Sequence, residues 1–421
     1  MTSTRRCFLG SCAGLAVAAA ASRTAAAQQT DHGPRPTPDQ LDAVLRQPVL
    51  DVSPFRTPLR IQSLELLRNG RVFLTRVRTT DGAEGIAVPN ADRLVETYPV
   101  FLRRIAPFFL GKDARELEPL TAELYRHNSN YKLQGIALWS TLAAAEFAIL
   151  DLLGKVAGKS IGELLGGVQR REIAVYRASG NRGNTPEAEI EYLRTLLEET
   201  GGSAIKFRLG GRMSRNADSL PGRTERLIPL VRETFGDDVT LYADANSSYD
   251  VPHALRIGRM LEEYGYAFFE EPCPFDHFEE TKAVADALTM PVAGGEQEFS
   301  MYGFRWMILN RGVDVVQPDL HYFGGFLRAL RVARMADLAG LPCTVHMSGS
   351  GLGFLDVVHF ASIVNNPGPH QEYKGTTDIP LTCETSSLKP ERGVIRVPTG
   401  PGFGVTIDPE FIRAAQPVTT L

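Results

Sequence analysis

The 421-residue sequence predicts an α/β fold, a closed barrel of parallel strands preceded by a smaller α+β unit. From Ile173 onward, short β-rich runs alternate with longer amphipathic segments: "EIAVYRA", "AIKFRLG", "VTLYADAN", "YAFFEEP", "MPVAGGE", "VDVVQPD", "LPCTVHMS" and "GPHQEY". Their spacing is roughly 30 residues, the period of βα units. Eight such runs in about 200 residues favour a barrel over an open sheet. No glycine-rich loop follows the first run, which argues against a dinucleotide-binding fold.

The elements read in order as follows. In residues 1–27, Arg5 and Arg6 precede Phe8 and Leu9, an apolar run covers 12–21, and Ala25-Ala26-Ala27 offers a small-residue cleavage site. This pattern predicts a twin-arginine signal peptide and a periplasmic or secreted protein. About ten apolar residues are too few to span a bilayer, so no membrane anchor is expected. Residues 28–57, polar with repeated prolines, read as a linker or extended arm. Residues 58–168 form the α+β unit: "IQSLELL" and "RVFLTRVRT" flank Asn69-Gly70, a hairpin signal, and helical periodicity follows over 92–165, longest in "LWSTLAAAEFAILDLLGKVAG". Residues 169–375 form the barrel, and the hairpin-like tail 376–421 returns to the first unit.

Composition is that of a globular protein, 43% hydrophobic and 22% charged. Loss of the signal removes three arginines and no acids, taking the formal charge from −4 to −7, and nucleic acid is not an expected partner. Cys7 and Cys12 lie in the signal; Cys273, Cys343 and Cys383 remain, an odd and widely spaced set that implies no disulfide framework. Export in the folded state allows a cofactor to be acquired first in the cytoplasm.

In such a barrel the C-terminal strand ends carry the chemistry. These ends supply Lys206 and Arg208, then Asp244 and Asn246, then Glu270 and Glu271, Glu296, Asp319, His346 and Glu372. Asp244, Glu270 and Glu296 sit on three consecutive strands and make an oxygen-ligand set for a hard divalent cation, with Mg²⁺ the usual occupant. Each alone fits a helix cap equally well. Glu271 is expected to point to the other side and form a structural salt bridge. Asp319 and His346, on adjacent strands, form a carboxylate–imidazole dyad able to act as a base near neutral pH. His321, two residues after Asp319 on the same face, is a rival base. His253, His277 and His359 have no partner in register.

The sequence resembles the enolase superfamily, within its mandelate racemase subgroup of acid-sugar dehydratases and racemases. The resemblance runs from about Ile61 to the C-terminus in "TTDGAEG", "LDLLGKVAGKSIGELLGG", "AIKFRLG", "YADAN", "FFEEP", "GGE", "VVQPDLHYFGG", "GLPCTVH" and "TGPGFGVTID". It implies a modified (β/α)7β TIM-like barrel under an N-terminal α+β capping domain. It also implies Mg²⁺ on Asp244, Glu270 and Glu296, the Asp319–His346 dyad, and Glu372 on the substrate-carboxylate side. Asn246, Lys206 and Arg208 are expected to bind substrate, and a homo-oligomer is expected. "VVQPDLHYFGG" lacks the lysine of the muconate-lactonising subgroup. The turn "RNG" is too short for the family's usual specificity lid, and "EGIAVPN" lacks the glutamate commonly found there.

Lys206 and Arg208 stand two apart on one strand and face one place. The resemblance implies the anion they would face, a carboxylate whose α-proton is removed to give an enediolate. Enzymes of this superfamily pair a Lys or His base with Mg²⁺ for that step. Lys206 stabilises the developing charge. Arginine cannot give up its proton, so His346 is the one base. That favours elimination, with protonated His346 also serving as acid for the β-hydroxyl, over racemisation. The expected function is Mg²⁺-dependent dehydration of a sugar acid to a 2-keto-3-deoxy acid. An epimerase or cycloisomerase of a related hydroxy acid is the first alternative, and a non-catalytic periplasmic binding protein the second.

Overall fold

The computed structural model describes residues 35–349 and 351–419; the signal sequence read at 1–27 lies outside them. Residues Pro38–Leu45 form a helix, where the sequence suggests an extended arm. Thr37 and Gln40 close a reciprocal capping box and Pro38 opens the first turn, so this proline starts a helix. Leu41 is fully buried, and Asp42 is held by Arg305 at 2.7 Å.

The capping domain is built on β1 (Ile61–Asn69), β2 (Val72–Thr79) and β3 (Glu84–Ala87), all antiparallel. Gly70, with φ of 58°, makes the β1–β2 turn. The 22-residue helix Ile136–Ala157 lies against this sheet. It is apolar nearly all round because nearly all of its length is buried, from Leu138 to Gly154. Gly85 of β3 meets the Ala148 carbonyl so closely that a Cβ has no room.

The barrel strands are β4 (Glu172–Ala178), β5 (Ala204–Arg208), β6 (Thr240–Asp244), β7 (Phe268–Glu270), β8 (Val292–Gly294), β9 (Val315–Val316) and β10 (Gln371–Tyr373). They pair in parallel in chain order from β4 to β9, and β10 pairs with β4, curling the sheet on itself. The seventh expected run, "LPCTVHMS", contributes only single bridges: Cys343 to Val316 and to Pro367, and His346 to Asp319. Pro318, Pro342 and Pro367 remove ladder donors here, which shortens the pairing.

The tail carries β11 (Leu381–Thr382), β12 (Val394–Arg396), β13 (Thr406–Ile407) and β14 (Gln416–Pro417). β14 pairs with β1 of the capping sheet, while β12 runs antiparallel along β4 of the barrel. The tail therefore fastens to both domains.

Candidate active site

The register of the barrel assembles the site. Arg208 pairs with Asp244 and Asp244 with Glu270, so β5, β6 and β7 end at one level. Every residue of β5 is buried. Lys206 and Arg208 share one face, and Phe207 on the other packs into the outer apolar layer with Tyr266. Glu296 follows β8 by two residues.

Oxygens of Asp244, Glu270 and Glu296 lie within 4.8 Å of one another, and all three residues are buried. Buried carboxylates this close repel unless a cation joins them. Two protein cations offset part of that charge: Arg208 Nη1 pairs with Asp244, and Lys206 Nζ lies 2.6 Å from Glu270 Oε2. Oε1 of Glu270 is buried without a hydrogen-bond partner. An all-oxygen donor set with an orphaned buried oxygen fits a hard divalent cation.

Lys206 also lies 3.2 Å from Glu372 Oε1. Burial opposes its charge, but Glu270 and Glu372 outweigh burial and raise its pKa, so it remains an ammonium. Glu372 accepts from the Met347 amide at 2.9 Å. Burial works against its ionisation too, yet Lys206, Lys374 and His346 hold it well below the usual carboxylate range. Glu296 is likewise lowered to about 2, against its burial, by His346 and Arg208.

His346 Nδ1 lies 2.7 Å from Asp319 Oδ2. The other oxygen of Asp319 accepts from the amides of His321 and Tyr322 and from Ser348 Oγ. Asp319 is thus fixed, and it fixes the ring. His346 Nε2 is left facing Glu296 Oε2 at 3.2 Å and Glu372 Oε2 at 3.7 Å. A base nitrogen next to a metal-type carboxylate cluster and two cations is arranged for proton abstraction beside a carboxylate.

The domain models of known families match both halves of the chain. "Mandelate racemase / muconate lactonizing enzyme, N-terminal domain" covers residues 46–166, and "Enolase C-terminal domain-like" covers 189–411. The chain belongs to the enolase superfamily. Within it, the mandelate racemase subgroup is where its relatives lie. Arabinonate dehydratase of Saccharolobus solfataricus is 30% identical over 80% of this chain and 88% of its own. D-galactarolactone cycloisomerase of Agrobacterium fabrum is 29% identical over 84% and 93%. A solved Roseobacter denitrificans protein, provisionally named a racemase, is 37% identical with a TM-score of 0.79, covering 86% of this chain and all of that one. Sugar-acid dehydration is an activity found in this superfamily, carried by relatives named as arabinonate and D-galactonate dehydratases.

Three readings of the enolase-superfamily sequence are corrected by the structure. Glu271 makes no salt bridge among the described residues; its nearest polar contact is Asn246 Nδ2 at 3.5 Å. Its φ of 42° breaks strand alternation, and burial together with Glu296 and Glu270 raises its pKa well above the carboxylate range. His321 is not a rival base. A turn begins at residue 320, just past the Asp319 bridge, and His321 Nε2 pairs with Asp356 at 3.2 Å while its ring packs on Phe147. His253 and His277 do have partners, the exposed helix-end acids Asp250 and Glu280. His359 is a core residue bonded to the Phe403 carbonyl, its pKa lowered by burial to about 4.

The structure also adds residues. Lys374 Nζ lies 3.4 Å from His346 Nε2 and donates to the Met347 carbonyl. It is two residues after Glu372, so the alternation that joined Lys206 to Arg208 could have found it. The same holds for Gln317, two before Asp319, which donates to Glu270 at 3.2 Å. Arg182 and Arg212 reach Asn246 Oδ1 from two loops. No periodicity marks a loop residue.

Proposed function

We propose that the chain is a Mg²⁺-dependent dehydratase of a sugar acid, an aldonate or aldarate. The observation that carries this reading is the single oriented base: His346, held through Nδ1 by Asp319, turns Nε2 toward the acidic triad. The neighbouring cations are not bases, since Lys206 is locked as an ammonium and an arginine holds its proton. Mg²⁺, held by Asp244, Glu270 and Glu296, would supply Lewis-acid stabilisation of the substrate carboxylate's developing charge. A Paracoccus denitrificans relative, 28% identical with a TM-score of 0.76, was solved with magnesium, which supports that choice of ion.

His346 Nε2 removes the proton α to the carboxylate. Lys206 and Arg208 offset the charge of the enediolate that forms, acting more strongly there than on the ground state. Glu372, which accepts from the Met347 amide and pairs with Lys206, holds the Lys206 ammonium in place beside the substrate's carboxylate end. Protonated His346 then gives its proton to the β-hydroxyl, which departs as water, and tautomerisation of the resulting enol gives the 2-keto-3-deoxy acid.

A library of aldonic and aldaric acids, assayed for 2-keto-3-deoxy product with Mg²⁺, tests the reading. Epimer without keto product would instead support the second reading, an epimerase or cycloisomerase. Export by the twin-arginine route is also part of the proposal, resting on the paired Arg5 and Arg6.

A further inference from the structure

Two guanidinium groups above the triad have no acidic partner. Arg182, in the loop after β4, and Arg212, in the loop after β5, both donate to Asn246 Oδ1, a neutral carbonyl oxygen. Neither lies within ion-pair distance of any carboxylate among the described residues. Arg223, rooted in the same region, shows the ordinary arrangement: it donates to the carbonyls of Arg208 and Asn184 and faces Glu189 at 3.7 Å.

Arg182 is the more demanding of the pair. Its Nε is buried without a partner. Burial, then Arg208 and Arg212, work against its charge and lower its pKa to about 9. Three guanidiniums, Arg182, Arg208 and Arg212, thus lie close enough together to oppose one another's charge, and of these Arg208 has an acid, Asp244, as its partner. Like charges converge in this way where an anion is to be received, and guanidinium forks match a carboxylate in two-point geometry.

The substrate's reacting carboxylate already has its own cationic partner, Lys206, beside the triad. Asn246 stands two residues beyond Asp244, past the end of β6, whereas His346 and Lys374 follow β9 and β10. A second anionic group is therefore what the arginine pair lacks. We infer that Arg182 and Arg212 clamp the distal carboxylate of an aldaric acid, so that a sugar dicarboxylate is the preferred substrate over the corresponding aldonate.

This inference rests on the sugar-acid reading and is tested apart from it. Aldonates and aldarates matched in hydroxyl configuration are compared as substrates of the mature chain with Mg²⁺. The expected kcat/KM for the matching aldarate exceeds that of its aldonate by about 10- to 100-fold, the worth of a charge-assisted hydrogen-bonded pair. Arg182→Gln and Arg212→Gln each lower that ratio, mainly by raising KM for the aldarate, and the double variant brings it close to one. Arg182→Lys retains part of the preference, a recovery that a merely structural role would not give. Thermal unfolding and Mg²⁺ binding by calorimetry identify any variant that fails to fold. Equal use of both acids by wild type, or a preference that survives the double variant, overturns the inference while leaving the dehydratase reading intact. Preference for a phosphorylated aldonate overturns the assignment of the anion as a carboxylate. Turnover of neither acid class overturns the sugar-acid reading itself and this inference with it.

Discussion

Asp319 Oδ2 lies 2.7 Å from His346 Nδ1, across a single bridge between two chain segments that are otherwise barely paired. Three further donors hold Asp319 Oδ1, so the carboxylate cannot turn and the imidazole keeps Nε2 toward the triad. His346→Asn should therefore abolish both dehydration and α-proton exchange, a loss of about 10²-fold or more. Mg²⁺ affinity should persist. Exchange into D₂O, followed by NMR on a slow substrate, should label one configuration only in wild type and none in the variant. Exchange at wild-type rate in the variant would remove His346 from the base role.

Metal removal gives the second test. Chelation should stop turnover and Mg²⁺ should restore it, because three buried carboxylates within 4.8 Å define the site. Glu296→Gln should weaken Mg²⁺ binding about tenfold or more by calorimetry, while circular dichroism stays native. Full activity of a chelated preparation contradicts the assignment.

Arg208 stands on the same face of β5 as Lys206, at the end of the strand. It pairs with Asp244 and donates to the Ser179 carbonyl at 3.1 Å, and its guanidinium holds its proton. Arg208→Lys places a group there that can be deprotonated when desolvated among cations. A trace of epimer should then appear by chiral chromatography, on a background of reduced dehydration. Epimer formed already by wild type would point to a second base on the face opposite His346.

A stability prediction comes from Glu146, fully buried on the helix Ile136–Ala157, where Oε1 accepts from the Leu327 amide at 3.1 Å. Burial raises its pKa from 4.5 to about 8. Below pH 4.5 the folded and unfolded chains both carry the proton, and no penalty exists. Between 4.5 and 8 the unfolded chain ionises first, so this group's contribution falls as pH rises, and the full penalty stands above pH 8. Glu146→Gln keeps the acceptor and removes the titration. Its stability relative to wild type, from urea unfolding, should rise by a few kcal/mol from about pH 4.5 to about pH 8.5, at about 1.4 kcal/mol for each pH step between the two pKa values. A difference that does not change with pH contradicts burial of an uncompensated carboxyl.

Export is tested by changing Arg5 and Arg6 to lysine, which should leave the precursor in the cytoplasm of the producing cell. Immunoblots of periplasmic and cytoplasmic fractions report it. Unchanged periplasmic accumulation would assign the signal to the general secretory route.

The sequence by itself determined the elements whose physics is local. Alternation on "AIKFR" places Lys206 and Arg208 on one face, and the βα period puts Asp244 and Glu270 at the ends of consecutive strands with Glu296 two residues past the next. Asn69-Gly70 specified the hairpin because its backbone must adopt positive φ. Tertiary structure alone decided features set by residues distant in the chain. The capping box of Pro38–Leu45 is hidden among prolines, and the helix is tied through Asp42 to Arg305, far along the chain. Glu271 and His321 escape the alternation rule because positive φ at the one and a turn at the other end the strand before they are reached. Arg182 and Arg212 come from separate loops, whose course no local pattern encodes; only closure of the sheet brings them together on Asn246. Side-chain periodicity reports direction along one strand, while the meeting of side chains depends on how strands and loops are brought together across the barrel.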